Sequence, residues 1–265
     1  DRVTVAESAD GSSYITDILP RKNYIIRRAS NLSKEAHIIA ANLDQVLLIV
    51  TLTHPVTSTT FIDRFLSTAE AYGIPATLVI NKTDLLDDDE SQELLKGVTY
   101  LYRSIGSKVI HTSARLRTGI EQLRSALKGK ITLLSGNSGV GKSSLINDII
   151  PSLNLKTAEI SATHLTGMHT TTFSEMFPLP EGYIIDTPGV KGFGTIDYDR
   201  YEVAHFFPEI FAASKECKYG NCTHTHEPGC AVRQALEEQR IAQSRYASYL
   251  SILDDLSHEK YRPGF

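Results

Sequence analysis

The sequence predicts a layered α/β fold with a mainly parallel central sheet, on three observations. Short apolar runs alternate with helix-length segments between residues 44 and 186. The run at 44–51, DQVLLIVT, is continuously apolar, as a strand buried on both faces requires. With 265 residues, 41% of them hydrophobic and 22% charged, the chain has ordinary globular composition and can close a core without disulfide staples.

The elements follow in order. Residues 1–35 read as irregular β structure, with short strand-like runs at 14–16 and 24–26 around a turn at Pro20. Between residues 18 and 34 stand Arg21, Lys22, Arg27, Arg28 and Lys34 with no acidic residue. This reads first as a solvated face, and alternatively as a phosphate-contacting surface. Strands are expected at 44–51, 76–80, 108–111, 131–134, 173–177 and 183–185. Helices are expected at 59–72, at 91–104 after an acidic linker at 87–90, at 120–127 and at 143–149. Beyond about residue 197 the strands stop. A short helical region, a Cys/His loop and a terminal helical segment at 231–257 form a further unit. That terminal segment mixes Arg233, Arg240, Arg245 and Lys260 with acidic residues, so it reads first as a solvated helix face, and alternatively as an RNA groove.

Composition excludes several classes. No run approaches the roughly 18 apolar residues of a membrane span. No basic-then-apolar leader and no lipidation motif is visible, so no membrane partner is expected. A net charge of −4 argues against a uniformly basic nucleic-acid coat but leaves room for a local patch. The cysteines are Cys217, Cys222 and Cys230, clustered among histidines. Such a cluster reads as metal ligands in a reducing compartment, so a cytoplasmic location is expected.

Residues 136–144, GNSGVGKSS, match the phosphate-loop pattern GxxxxGK[ST] between an expected strand and an expected helix. Gly136, Gly139 and Gly141 free the backbone to turn its N–H groups inward around an anion, together with Asn137, Ser138, Val140 and Ser144. Lys142 is expected to reach the β- and γ-phosphates, and the Ser143 hydroxyl to ligate Mg²⁺. Asp186-Thr187-Pro188-Gly189 ends the run at 183–185. A carboxylate there can serve Mg²⁺, and the Gly189 amide can sense a γ-phosphate.

Asn81-Lys82-Thr83-Asp84 ends the strand expected at 76–80. The Asp84 carboxylate can accept from guanine N1–H and the 2-amino group. Adenine offers neither donor there, and a mismatched base leaves buried polar groups unpaired. The Lys82 stem can lie along the base, and Asn81 can tie neighbouring loops. Thr112-Ser113-Ala114, after 108–111, fits a companion loop whose amides reach the guanine oxygen. These motifs select GTP and GDP over adenine nucleotides.

Their order is permuted. The base-reading motifs at 81 and 112 precede the phosphate loop at 136, a threonine-rich segment at 169–172 and the DTPG at 186. Motifs meeting around one nucleotide can be reordered when the original termini lie close together. A circularly permuted P-loop GTPase domain is therefore expected. In the threonine-rich segment one hydroxyl can ligate Mg²⁺, and we assign Thr171 to this role. Val190 follows DTPG, where many GTPases carry a glutamine that orients the attacking water. His169 is the candidate for that task, which with Lys142 and Thr171 completes the expected catalytic set.

Cys217-x4-Cys222-x-His224-x5-Cys230 offers three thiolates and one imidazole, a donor set suited to one structural Zn²⁺. His226 stands at similar reach, and spacing alone leaves that choice open.

The motif order, LPRKNY at 19–24, AANLDQV at 40–46, the loop at 136–144 and CKYGNCTHTHEPGCAV at 217–232 together resemble the RsgA/YjeQ family across nearly the whole chain. The resemblance implies an N-terminal OB-fold, a permuted GTPase and a C-terminal zinc domain, here 1–36, 37–196 and 197–265. About 36 residues are too few for the five strands of an OB-fold, so a shortened module is expected. The resemblance also implies GTP hydrolysis stimulated by the small ribosomal subunit, late subunit maturation and rRNA contact. It selects His224 as the fourth zinc ligand. A monomer is expected.

Overall fold

The computed structural model describes residues 1–8, 10–28, 36–153, 155, 174–186 and 199–259. Six strands form the central sheet: β5 (Gln45–Val50), β6 (Ala76–Ile80), β7 (Lys108–His111), β8 (Lys130–Ser135), β9 (Glu175–Leu179) and β10 (Gly182–Asp186). Their spatial order is β7-β6-β5-β8-β10-β9. All pairings are parallel except that of β10 with β9. All six residues of β5 are buried, as its unbroken apolar sequence dictates.

Helices cover both faces. On one side lie α1 (Thr59–Ala71) and α2 (Asp89–Ser104). Ile62, Phe65 and Ala69 of α1 and Val98 and Tyr102 of α2 pack there against Val46, Leu48 and Val50. On the other lie α3 (Ile120–Leu127) and α4 (Lys142–Ile149), with Leu123, Leu127, Leu145 and Ile146 against Leu47, Ile49 and Ile184. The acidic run read as a linker instead starts α2. The Asp88 carboxylate accepts the Ser91 N–H, and Asp89 and Glu90 sit in the positive first turn. Strand β9 lies two residues later than the sequence predicts.

Before the sheet, β1 (Val3–Glu7) pairs with β2 (Ser13–Ile18), and β3 (Tyr24–Arg28) with β4 (Ala36–Ala41), as two antiparallel hairpins. Asn23 exchanges reciprocal bonds with Leu43, which tethers them to the start of β5. Of the basic residues in this region, Arg21 pairs with Asp1 and Lys22 with Asp44 at the surface, consistent with a solvated face. Lys34 lies outside the described residues.

After the sheet come α5 (Pro208–Ser214), the Cys/His loop, α6 (Ala231–Glu237) and α7 (Gln243–Glu259) around their own apolar cluster. The terminal segment is thus two helices, broken where Gln239 takes a left-handed φ of 58°. Arg245 does not belong to a solvated face. Its side chain is only 2% exposed, because α7 turns it toward α1 and α5, where two carboxylates receive it.

Candidate nucleotide site and metal centre

Each expected nucleotide-binding motif among the described residues lies at the carboxyl end of a parallel strand. β8 leads into Gly136–Ser144, β6 into Asn81–Asp84, β7 into Thr112–Ala114, and β10 ends on Asp186. That is the edge where open α/β sheets bind ligands.

The loop glycines are required by close approach. A Cβ at Gly136, φ 148°, would stand 2.2 Å from the Ile49 carbonyl oxygen. One at Gly141, φ 94°, would stand 2.5 Å from the Asn81 amide nitrogen. Asn81 itself is 2% exposed. It donates to the Val140 carbonyl (2.8 Å) and accepts from the Thr112 hydroxyl (3.0 Å). One side chain therefore joins phosphate loop, base-reading loop and companion loop. The Ser113 hydroxyl donates to Asp84, and the Thr83 hydroxyl to the Thr112 carbonyl (3.1 Å). Ala114 is half-buried beside them.

Lys142 folds over the loop and donates to the carbonyls of Gly136 (2.7 Å) and Asn137 (3.0 Å). Burial lowers its ammonium from the usual lysine range, and buried Asp186 partly restores it. Asn137 is half-buried, Ser138 and Gly139 are exposed at the rim, and Ser143 and Ser144 lie in the first turn of α4. Ser143 and Asp186 supply hard oxygen donors beside the phosphate loop, a set that suits Mg²⁺. His169, Thr171 and Gly189 lie outside the described residues.

The sequence reading missed one contributor. The loop after β5 brings Pro55 to within 3.5 Å of a Cβ built at Gly139, and the His54 carbonyl accepts from the Lys82 ammonium (2.7 Å). Burial lowers the Lys82 ammonium as well. Pro55 soon after the apolar strand is the turn signal the sequence carries there.

In the C-terminal unit the sulfurs of Cys217, Cys222 and Cys230 and a ring nitrogen of His224 lie within 4.8 Å of one another. His224 Nδ1 is 3.5 Å from both Cys217 and Cys230, and those two sulfurs are 4.0 Å apart. Metal–sulfur bonds of about 2.3 Å in a tetrahedron would set sulfurs about 3.8 Å apart, so the cluster fits such an ion. His226 is exposed and its Nδ1 faces the Thr225 hydroxyl, outside the cluster. Burial pushes the Cys222 thiol up to about 12 and raises Cys230 too, so a metal held by these sulfurs would displace thiol protons. Tyr246 and Tyr249 of α7 donate to the carbonyls of His224 (2.6 Å) and Thr223 (2.8 Å), which hold the ligand loop. Burial opposes ionisation of Glu227, but bonds from Thr223 and from the His226 amide outweigh it and keep the carboxyl below its ordinary range.

Comparison with known proteins identifies the family and the fold. The model of the family described as RsgA GTPase matches residues 18–196. The chain belongs to the RsgA GTPase family. A relative from Bacteroides fragilis named small ribosomal subunit biogenesis GTPase RsgA is 58% identical over 266 residues, covering 100% of this chain and 86% of the relative. One of the same name from Porphyromonas gingivalis is 56% identical over 271 residues, with the same coverage. Among solved structures, YjeQ from Thermotoga maritima superposes with a TM-score of 0.79 at 36% identity, covering 97% of this chain and 83% of that one. YloQ, titled a circularly permuted GTPase, gives 0.76 at 28% identity, covering 99% and 81%. As an RsgA GTPase the chain is a GTP hydrolase on a circularly permuted fold, and it is a ribosome biogenesis factor.

Proposed function

We propose that this chain hydrolyses GTP on the small ribosomal subunit late in that subunit's maturation, docking on rRNA in the cytoplasm as a monomer. The observation that carries this reading is Asn81, whose side chain joins the loop at 136–144 to the strand ends at 81–84 and 112–114. The relatives' names supply the ribosomal context. No helix among the described residues is long and apolar enough to cross a membrane.

In this reading residues 1–36 belong to an OB module, 37–196 to the GTPase domain and 197–265 to a zinc domain. Asp84 reads the guanine edge and Lys82 flanks the base. Ser113 orients Asp84, and the Ala114 amide meets the guanine oxygen. Backbone amides of Gly136–Ser144 hold the phosphates. Lys142 leaves its loop carbonyls for the β- and γ-phosphates, and stabilises charge as water attacks in line. Ser143, Asp186 and Thr171 hold Mg²⁺, which when bound neutralises phosphate charge. The Gly189 amide senses the γ-phosphate. Val190 cannot hydrogen-bond to the attacking water, so His169 orients it once the subunit is engaged. Cys217, Cys222, His224 and Cys230 hold Zn²⁺ in a structural role, since four protein donors leave no open position.

Phosphate release with and without purified small subunits, for GTP and for ATP, tests the reading. Subunit-stimulated turnover of GTP alone is expected, and His169→Ala should abolish the stimulation. Equal turnover of ATP, or no response to the subunit, would contradict it.

A further inference from the structure

We propose that Arg245 is a positioning residue that locks the zinc unit to the GTPase domain as one rigid body for docking. This rests on the subunit-dependent reading above. Asp63 of α1 is completely buried. Its carboxylate accepts from Arg245 Nη1 (2.8 Å), the Tyr102 hydroxyl of α2 (2.9 Å) and the Ser248 hydroxyl of α7 (2.6 Å). Arg245 gives its other edge to Glu209 of α5 at 2.7 and 3.2 Å, and its guanidinium lies 4.6 Å from the Phe207 ring centre. Two helices of the GTPase domain and two of the C-terminal unit thus meet in one buried cluster, with Asp63 and Glu209 on the guanidinium and Tyr102 on Asp63. Beside it, Arg64 reaches Asp255 (2.6 Å) and the Ser251 carbonyl (2.9 Å).

The apolar contribution to this joint is small. Among the described residues, Ala71 is the one GTPase-domain residue packed against the C-terminal apolar cluster. Polar interfaces between units leave relative motion as the default. Apolar contact tolerates sliding, whereas a bidentate guanidinium between two carboxylates accepts one geometry. A buried ion pair adds little net stability compared with apolar residues, so its consequence here is orientation. The clasp also continues to the metal loop. Helix α7 carries both Arg245 and the tyrosines that hold Thr223 and His224. The metal centre is thereby held at a fixed attitude to the sheet, independently of the chain that follows Asp186.

The test compares the wild-type chain with Arg245→Met, and with Arg245→Met combined with Asp63→Asn, which leaves no unpaired charge at Asp63 should the single variant fail to fold. Basal GTP turnover and GTP affinity should stay within twofold. Amide hydrogen exchange in α1 and α7 should speed at least tenfold while β5 and β6 stay unchanged, and the subunit concentration for half-maximal stimulation should rise at least tenfold with kcat retained. Unchanged exchange and unchanged half-maximal concentration in the folded double variant would overturn the proposal. Absence of stimulation in the wild type would instead overturn the subunit reading, and the exchange result would still decide the clasp.

Discussion

Asn81 donates its side-chain amide to the carbonyl of Val140, 59 residues further along the chain, at 2.8 Å and out of contact with water. The bond ties the strand end proposed to read a base to the loop proposed to hold phosphates. The amide oxygen of Asn81 accepts from the Thr112 hydroxyl, so removing the side chain orphans a carbonyl and a hydroxyl together.

Asn81→Ala should therefore cost about 1–3 kcal/mol of pocket integrity. Isothermal titration should show GDP affinity reduced about 10- to 100-fold. Far-ultraviolet circular dichroism should be unchanged, because β6 keeps its ladder to β5 and β7.

Asp84 is oriented by the Ser113 hydroxyl, which is in turn locked by the Leu116 N–H. Replacing its carboxylate by an amide substitutes a donor for one acceptor. Asp84→Asn should lose GTP affinity by about 1.5–3 kcal/mol, the range for a hydrogen bond to a charged group. Xanthosine triphosphate, with an acceptor where guanine has its amino group, should bind the variant better than GTP does. Unaltered nucleotide preference would remove Asp84 from base reading.

Much of this site is legible in the sequence because its parts are local. A glycine-rich loop after an apolar strand has few alternative folds, and NKTD and TSA each end a strand whose bounds the apolar runs already mark. The Cys/His spacing is equally local, although spacing alone leaves His224 and His226 open; the family resemblance selects His224, and the structure brings His224 to the three sulfurs. What sequence hides is pairing between distant helices. Asp63 and Arg245 are 182 residues apart. Each sits in a mixed helix where a charge reads as solvated. The bend at Gln239 is hidden for a related reason, since a left-handed cap without glycine leaves no mark. The start of α2 was obscured because capping aspartates look like a linker when they stand in a run of four acids.

Acid sensitivity should trace in part to Asp44. The Ile131 N–H holds its carboxyl below the ordinary range against the opposing effect of burial, with Lys22 lowering it further. A carboxyl depressed in the folded state stabilises above its unfolded value, about 3.9, and that contribution is lost as pH falls through the folded value. The gap between the urea midpoints of wild type and Asp44→Asn should be present at pH 6 and shrink below about pH 4. A pH-independent gap would deny the linkage.

Metal removal should be selective. The ligand loop carries little apolar surface of its own, so a strong chelator should unfold it together with α6 and loosen α7. GTP binding should remain within a few-fold, because no residue of the nucleotide pocket touches this loop among the described contacts. Reloading Zn²⁺ near pH 7 should release about two to three protons per ion, measurable by calorimetry in buffers of different ionisation heat. Reloading without proton release would mean that the buried thiols are not the ligands.

The central claim is that two separated stretches, 81–84 and 136–144, build one guanine-specific pocket. Titration of the purified chain with GDP, GTP and ATP measures it most directly. The account predicts one site per chain for GDP and GTP and affinity for ATP at least 100-fold weaker, about 2.7 kcal/mol. Binding of neither guanine nucleotide, or equal binding of ATP, would contradict it.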